Sequence, residues 1–149
     1  MQLRKLILRN FRNYDNLELS FNSNLVLLVG PNAAGKTNIL ESIFMACTGR
    51  SHRTPRDREL IKLEKKEALI RTKVDKQLGE SEITIFLSIG EKKKVLINES
   101  PAVRLGELMG HLNSVMFSPD DMKLIREGPV ERRRFMDMEL SQVKPKYFY

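Results

Sequence analysis

One short segment carries the residue types and spacing of a phosphate-binding loop. Residues 30–37 read G-P-N-A-A-G-K-T and fit the pattern G-x-x-x-x-G-K-[ST] at every fixed position. The two glycines permit the turn that brings backbone N–H groups around phosphates. In such a loop Lys36 reaches the β and γ phosphates, and the Thr37 hydroxyl takes a Mg²⁺ position. The segment therefore predicts binding of ATP or GTP.

The chain around this loop has the elements that such a site needs. Residues 25–29 are aliphatic without alternation, which predicts a strand buried on both faces. After the loop, apolar residues from Ile39 to Cys47 recur at helical spacing, and Gly49 is suited to end that helix. The positive end of the helix would face the phosphates. The alternative is a glycine-rich strand-to-helix turn with an exposed lysine.

The rest of the chain alternates between strand and helix patterns. Alternating apolar and polar residues predict five strands, at residues 3–10, 17–21, 68–74, 83–89 and 95–97. The last three would form an antiparallel meander. Residues 114–117 predict a further buried strand, residues 102–111 a short helix, Pro119 the start of another, and residues 130–143 a last helix. The fold class is therefore α/β, a P-loop NTPase lobe with a mixed sheet and a meander over one side.

The predicted elements fall into three consecutive parts of one domain. Residues 1–49 hold the first strands, the loop and the first helix. Residues 50–111 hold a basic segment and the meander, and residues 112–149 hold a strand, a short helix and the last helix. The total length of 149 residues suits a single domain.

Positive charge is concentrated in the middle of the chain. The formal net charge is +7, and residues 50–76 alone hold ten basic and five acidic residues. A concentrated positive segment favours phosphate-rich partners. A solvated surface of mixed ion pairs would fit the same pattern, so charge alone leaves both interpretations open.

Composition argues against several other classes of protein. The longest aliphatic run, residues 25–29, is too short for a transmembrane helix. One cysteine and two histidines cannot build a disulfide framework or a Cys/His metal cage. We therefore expect no membrane partner and a location in the reducing cytoplasm.

Five segments of the sequence resemble those of known head ATPases. They read N-F-R-N-Y at 10–14, T-N-I-L-E-S-I at 37–43, G-R-S-H-R-T at 49–54, F-S-P-D-D at 117–121 and G-P-V-E-R-R-R-F-M-D at 128–137. The first two resemble the N-terminal part of SMC/ABC-type head ATPases. The other three resemble the RecF family of bacterial recombination mediators. This more specific resemblance spans nearly the whole chain.

The resemblance implies an activity and a set of site residues. RecF proteins bind ATP, dimerise on it, bind DNA and slowly hydrolyse ATP. In head ATPases the arginine at the position of Arg12 approaches the phosphates, although a surface arginine at a strand end would fit the same sequence. Asn32 would lie near the γ-phosphate and the dimer partner. The residues expected around the nucleotide are Gly30, Asn32, Ala33, Ala34, Gly35, Lys36, Thr37, Asn38 and Arg12.

Parts of a hydrolytic site are missing from this sequence. It has no apolar strand that ends in Asp-Glu or Asp-Asp, and no Ser-Gly-Gly stretch. Related heads also place a glutamine near Mg²⁺. At that place this chain offers only Asp120, and Asp120 fits equally well as a carboxylate in the first turn of a helix. The resemblance implies that the missing parts lie further along the family's chains, and the aromatic end at residues 147–149 suggests a fragment. We expect it to bind ATP and Mg²⁺ but to hydrolyse ATP poorly.

The resemblance also implies macromolecular partners. Double-stranded DNA and duplex/single-strand junctions are the expected nucleic acids, and the candidate contacts are Arg53, Arg56, Lys65 and Lys66. A second basic group at residues 132–134 spreads around a helix and fits a structural or dimer role as well. RecR and RecO are the implied protein partners, beside an ATP-dependent homodimer. The implied role is recombination in DNA repair and replication, including the SOS response.

Two other functions stay open at this point. A small P-loop kinase that acts on a metabolite would need an acceptor site and an arginine-bearing lid, and the meander at residues 68–97 disfavours such a lid. A non-hydrolysing, nucleotide-gated DNA-binding module would use the same loop and the same basic segment. Salt-sensitive DNA binding separates the kinase from the two DNA-binding functions.

Overall fold

The computed structural model describes residues 1–77, 79–118 and 128–148. The helix predicted to start at Pro119, which includes the candidate Asp120, lies outside these residues. Eight helices and strands organise the described part. They are β1 (Gln2–Phe11), β2 (Tyr14–Ser20), α1 (Lys36–Thr48), β3 (Glu67–Lys76), β4 (Gly79–Ser88), β5 (Lys94–Ile97), β6 (Ser100–Pro101) and α2 (Pro129–Val143).

The strands form one six-stranded sheet in the order β2-β1-β3-β4-β5-β6, and every neighbouring pair is antiparallel. The predicted meander is confirmed as β3, β4 and β5, and a turn at residues 98–99 leads into the two-residue β6. Strand β1 pairs with β2 on one side and with β3 on the other. The N-terminal hairpin is therefore an extension of the meander sheet.

Alternation along the strands builds the core on one face of the sheet. Leu8 of β1 lies opposite Ile70 of β3, which lies opposite Ile85 of β4. All three are fully buried. Because successive side chains of a strand point to opposite faces, these residues line a single layer. Helix α1 packs its apolar side against this layer, with Met45 and Cys47 fully buried.

Helix α1 begins and ends at glycines. Gly35 precedes it with φ 97° and Gly49 ends it with φ 69°, where the Gly49 N–H donates to the Met45 carbonyl at 2.7 Å. This confirms the predicted helix bounds. Leu105, in a 3-10 helix at Leu105–Leu108, packs directly on Gly49, and a Cβ there would lie 2.3 Å from the leucine Cδ1. The helix predicted over 102–111 is thus a single 3-10 turn.

Helix α2 confirms the predicted last helix and holds an extended segment in place. The Gln142 side chain accepts from the Ser114 N–H at 2.7 Å and donates to the Ser114 carbonyl at 3.0 Å. These two bonds fix residue 114 against the end of α2. None of the helices in the described residues has the length and apolar character that crossing a bilayer requires.

Two strand predictions are wrong within the described residues. Residues 25–29 and 114–117 carry no strand pairing, and Leu25, Leu27 and Phe117 are 85%, 83% and 89% exposed. Their sequences suit burial on both faces, but a strand also needs neighbours with free backbone groups. The described sheet is antiparallel throughout, so the parallel pairing of the expected mixed sheet is absent from this part of the chain.

Candidate functional site

The loop at residues 30–37 connects the extended segment 25–29 to helix α1. Its turn is closed by the Ala34 N–H, which donates to the Pro31 carbonyl at 3.3 Å. Ala33 has a φ of 65° and Gly35 a φ of 97°. These left-handed positions reverse the chain so that the next residues enter the helix. The loop side chains at 31–34 are exposed.

Lys36 bends back over this loop. Its Nζ donates to the carbonyls of Gly30 and Pro31 at 2.6 and 2.7 Å. The ammonium group is therefore held above the loop backbone, where it adds a full positive charge. Thr37, the following residue, is exposed at the first turn of α1.

The start of α1 has exposed positive character. Within the residues that the structure describes, no side chain caps it, and its first turn holds no acidic residue. The first backbone N–H groups of any helix lack partners within the helix, and the helix dipole makes that end positive. Together with Lys36, these donors fit the phosphates of a nucleotide, and the Thr37 hydroxyl is a suitable oxygen ligand for Mg²⁺.

The hairpin between β1 and β2 braces the loop from the side. Asn13 Nδ2 and the Tyr14 hydroxyl both lie 3.4 Å from the Ala34 carbonyl oxygen. Asn38 Nδ2 donates to Asn13 Oδ1 at 2.9 Å. A Cβ on Gly35 would be strained at φ 97° and would lie 2.6 Å from Asn13 Nδ2, so it would displace the Asn13 side chain from the loop. Burial raises the pKa of Tyr14, which keeps its hydroxyl protonated as a donor.

Sequence reasoning missed Asn13 and Tyr14 as loop residues. Both lie in the N-F-R-N-Y segment, whose resemblance to head ATPases predicts a role for Arg12 but no contact for Asn13 or Tyr14. Of the predicted nucleotide residues, the loop positions and Asn38 come together as one cluster. The signal that could have identified Asn13 was its position in a short turn beside the predicted strand.

A buried carboxylate joins this cluster to the neighbouring segment. Glu41 of α1 is 0% exposed. It accepts from Arg12 Nη2 at 2.6 Å and Nε at 2.9 Å, and from the Ser51 hydroxyl at 2.6 Å. Burial by itself would raise the pKa of Glu41, but the hydrogen bonds of Arg12 and Ser51 and the charges of Arg12 and Arg53 lower it overall. Glu41 is therefore ionised, and it forms a buried hub, a carboxylate that contacts Arg12, Ser51 and Arg53.

Arg12 lies in this network. Besides its two bonds to Glu41, its Nη1 donates to the Glu59 carbonyl at 2.9 Å. Its side chain is 19% exposed, so the alternative of a free surface arginine does not describe it. Its neighbour Asn13 contacts the loop, which places Arg12 beside the predicted phosphate site. Contact between Arg12 and a phosphate stays a prediction.

The four candidate DNA-binding residues do not share one environment. Arg53 Nη1 donates to Asn38 Oδ1 at 2.9 Å and lies 3.4 Å from Glu41 Oε2, so it belongs to the loop cluster. Arg56 forms an ion pair with Glu59 at 3.4 Å. Lys65 and Lys66 are exposed in the connection that leads into β3. The two lysines are therefore better placed than the two arginines for a large outside partner.

The predicted metal residues are only partly described. Thr37 lies at the start of α1, and Asp120 falls outside the described residues. Across residues 1–77, 79–118 and 128–148, no three histidine, cysteine, aspartate or glutamate side chains group into a metal cluster. Of the two predicted metal residues, Thr37 is therefore the one whose position the structure gives.

Comparison with known proteins gives consistent matches. Residues 5–137 match the family described as AAA domain. The DNA replication and repair protein RecF of Alkaliphilus oremlandii is 47% identical over 149 residues, 100% of this chain and 41% of the relative. A structure of the recombination mediator protein RecF-ATP in the RecFOR pathway has a TM-score of 0.92 at 33% identity, covering 98% of this chain and 39% of that one. A structure from a study of SMC ATPases has a TM-score of 0.70 at 22% identity, covering 91% and 97%.

These matches confirm the resemblance to RecF and the P-loop head fold. The SMC match supports the fold alone, because its identity is low. The chain spans about 41% of the length of the curated relative. The division of the chain into three parts and the individual site residues stay predictions.

Proposed function

The chain belongs to the AAA domain family, and from this membership and the loop geometry we infer that it binds ATP together with Mg²⁺. The observation that carries the proposal is the start of α1, where an uncapped helix with no first-turn acid meets Lys36 above the loop. A positive, donor-rich end of this kind is suited to a polyphosphate. The relative solved as RecF-ATP supports ATP as the nucleotide.

Different residues of the loop would contact different parts of the bound Mg-ATP. Backbone N–H groups of residues 32, 33 and 35–37 would donate to phosphate oxygens, and Lys36 would exchange its two carbonyl partners for phosphate oxygens of higher negative charge. The Thr37 hydroxyl supplies one ligand to Mg²⁺, which neutralises part of the phosphate charge. Asn13, Tyr14 and Asn38 keep the loop in this shape.

Calorimetric titration with Mg-ATP tests this proposal. Lys36→Ala should weaken binding about tenfold to a hundredfold, because a charge-assisted bond contributes about 1.5–3 kcal/mol. Lys144→Ala removes an exposed lysine just after α2 and should leave the affinity unchanged. Equal affinity of both variants, with unchanged circular dichroism melts, would contradict the proposal.

We further propose that the whole protein acts in DNA repair and replication as a RecF-type recombination mediator. The match of the whole of this chain to 41% of a protein named for that role supports this. Duplex DNA and its junctions, RecR, RecO and an ATP-dependent homodimer are the proposed partners, and the SOS response is a proposed setting. ATP hydrolysis by this chain alone is proposed to be poor, since its sequence has no strand ending in paired acids and no Ser-Gly-Gly stretch.

The metabolite kinase is the weaker alternative. Such enzymes close a mobile lid over the acceptor and the nucleotide. Here residues 67–97 hold β3, β4 and β5 within a continuous sheet, with Ile70 and Ile85 fully buried. Strands that are paired in a sheet and buried in the core cannot easily move to open and close over a substrate.

A further inference from the structure

A groove lies at the β5–β6 edge of the sheet, outside the nucleotide cluster. It has a volume of about 490 Å³ and is open to solvent. Apolar residues form most of its lining, chiefly Val95, Leu96, Ala102 and Leu105. Val103 stands at its margin with 87% of its surface exposed. An exposed apolar side chain beside an apolar concave surface is typical of a site that receives another apolar group.

The margin of this groove carries four cations. Lys92, Lys93, Lys94 and Arg104 line it, against Asp57 as the one acidic residue of the lining. Asp57 pairs with Lys93 at 3.0 Å. Lys94 lies 3.3 Å from Glu91, and both of those side chains are mostly exposed. Glu107 Oε1 also accepts from the backbone N–H of Arg104 at 3.0 Å, so three acids stand beside the four cations. The remaining excess of one positive charge favours a negatively charged ligand.

The combination of an apolar floor and a cationic margin restricts the class of ligand. A metal ion would need acidic or imidazole ligands, which the lining does not supply beyond Asp57. Single-stranded nucleic acid is held largely by stacking of bases on aromatic rings, and no aromatic residue lines the groove within the described chain. An acidic peptide that carries an aliphatic or aromatic side chain satisfies both features.

We propose that this groove is a docking site for an acidic peptide segment of a partner protein, with one apolar side chain of that segment seated among Val95, Leu96 and Ala102. Carboxylates on either side of the apolar residue pair with Lys92 and Lys94. The bound segment is recognised mainly by its side chains, because Pro101 in the edge strand has no N–H to offer a further strand. This inference does not depend on nucleotide binding.

A fluorescence anisotropy titration with defined peptides tests the docking site. The probe is a labelled peptide of sequence Gly-Asp-Glu-Leu-Phe-Asp-Glu-Gly, used with the whole 149-residue chain in the absence of nucleotide. Its matched controls replace Leu-Phe by Ser-Ser, or replace all four acids by lysine. We expect saturable binding of the probe and about tenfold weaker binding, or none, of both controls.

Variants of the chain assign that binding to the groove. Lys92→Glu and Val103→Asp change exposed residues and should each weaken probe binding about tenfold or more, while Lys144→Glu, away from the groove, should not. Leu105 is left intact because it packs on Gly49. Circular dichroism melts check that the variants fold.

Several outcomes would overturn the proposal. They are no binding of the probe at millimolar concentration, binding equal to that of the serine control, or binding that survives both groove variants. Binding of a labelled oligothymidine that Lys92→Glu and Val103→Asp abolish, with none of the peptide, would assign the groove to nucleic acid instead.

Discussion

At the scale of single residues, Glu41 determines how the candidate site is held together. One carboxylate of α1 contacts the β1–β2 turn through Arg12 and the following segment through Ser51 and Arg53. Removing one partner of a buried ion pair is costly because the remaining charge keeps its desolvation penalty. Arg12 and Ser51 therefore depend on Glu41 for their positions.

Glu41→Gln should reduce the free energy of unfolding by about 3 kcal/mol, since Arg12 would lose its charged partner while remaining largely buried. Urea unfolding at neutral pH measures this. Glu18→Gln is the control: its pair with Lys5 is exposed and should contribute less than about 1 kcal/mol. A loss at Glu41 no larger than that at Glu18 would contradict the role of a buried hub.

The same residue predicts a pH dependence. Because the folded-state pKa of Glu41 is lowered, its stabilisation is fully present above the pKa of an unfolded glutamate, about 4.3. It is lost as the pH falls through the lower folded-state pKa. The difference in unfolding free energy between the native chain and Glu41→Gln should be constant from about pH 8 to about pH 5 and shrink below about pH 4. A difference in unfolding free energy that grows as the pH falls would contradict a lowered pKa of Glu41 in the folded state.

The loop could be predicted from sequence, whereas the Glu41 cluster could not. Residues 30–37 form a local pattern with its chemistry in eight consecutive positions. Arg12 and Glu41 are 29 positions apart, and only the fold brings them to 2.6 Å. Periodicity would place Glu41 simply as a charged residue of a helix. Its burial depends on the segment after α1, where Ser51 and Arg53 contact its carboxylate.

At the scale of elements, the end of α1 is fixed by close packing as well as by hydrogen bonding. Gly49→Ala should reduce the free energy of unfolding by about 2–4 kcal/mol. This loss has two causes, the backbone strain of a left-handed alanine and the overpacking of its Cβ against Leu105. Gly90→Ala has the same strain at φ 83° but meets nothing within 4 Å, and should cost about 1 kcal/mol. Thermal melts of the pair separate the two effects. Equal losses would mean that the leucine contact contributes nothing.

Elements with a regular apolar period could be predicted, and elements that need distant partners could not. The alternation in β3 and β4 and the helical spacing in α1 are local, and all three form as expected. Residues 25–29 have an equally strong apolar pattern but no pairing strand in the described chain. Hydrophobicity indicates that a segment suits burial, while pairing decides whether a strand forms.

At the scale of the whole molecule, the proposed binding of duplex DNA can be tested at the exposed lysines before β3. Lys65→Gln with Lys66→Gln should reduce the slope of log affinity against log salt by about 2, because each phosphate contact adds about 0.9. Anisotropy of a labelled duplex between about 50 and 200 mM salt measures this. Lys144→Gln should leave the slope unchanged. An identical slope for the double variant would exclude these lysines.

The strand order also dictates a sequence of folding events. Strands β3 to β6 join neighbours along the chain, so their contacts close short loops and can form early. Strand β1 instead pairs with β3 across about sixty residues, with Leu8 opposite Ile70, at a larger entropic cost of closure. The phosphate loop lies inside that long connection, and its brace Asn13 follows β1 directly. We therefore expect the β1–β3 pairing to form after the meander, so that the apolar layer on which α1 packs is completed last.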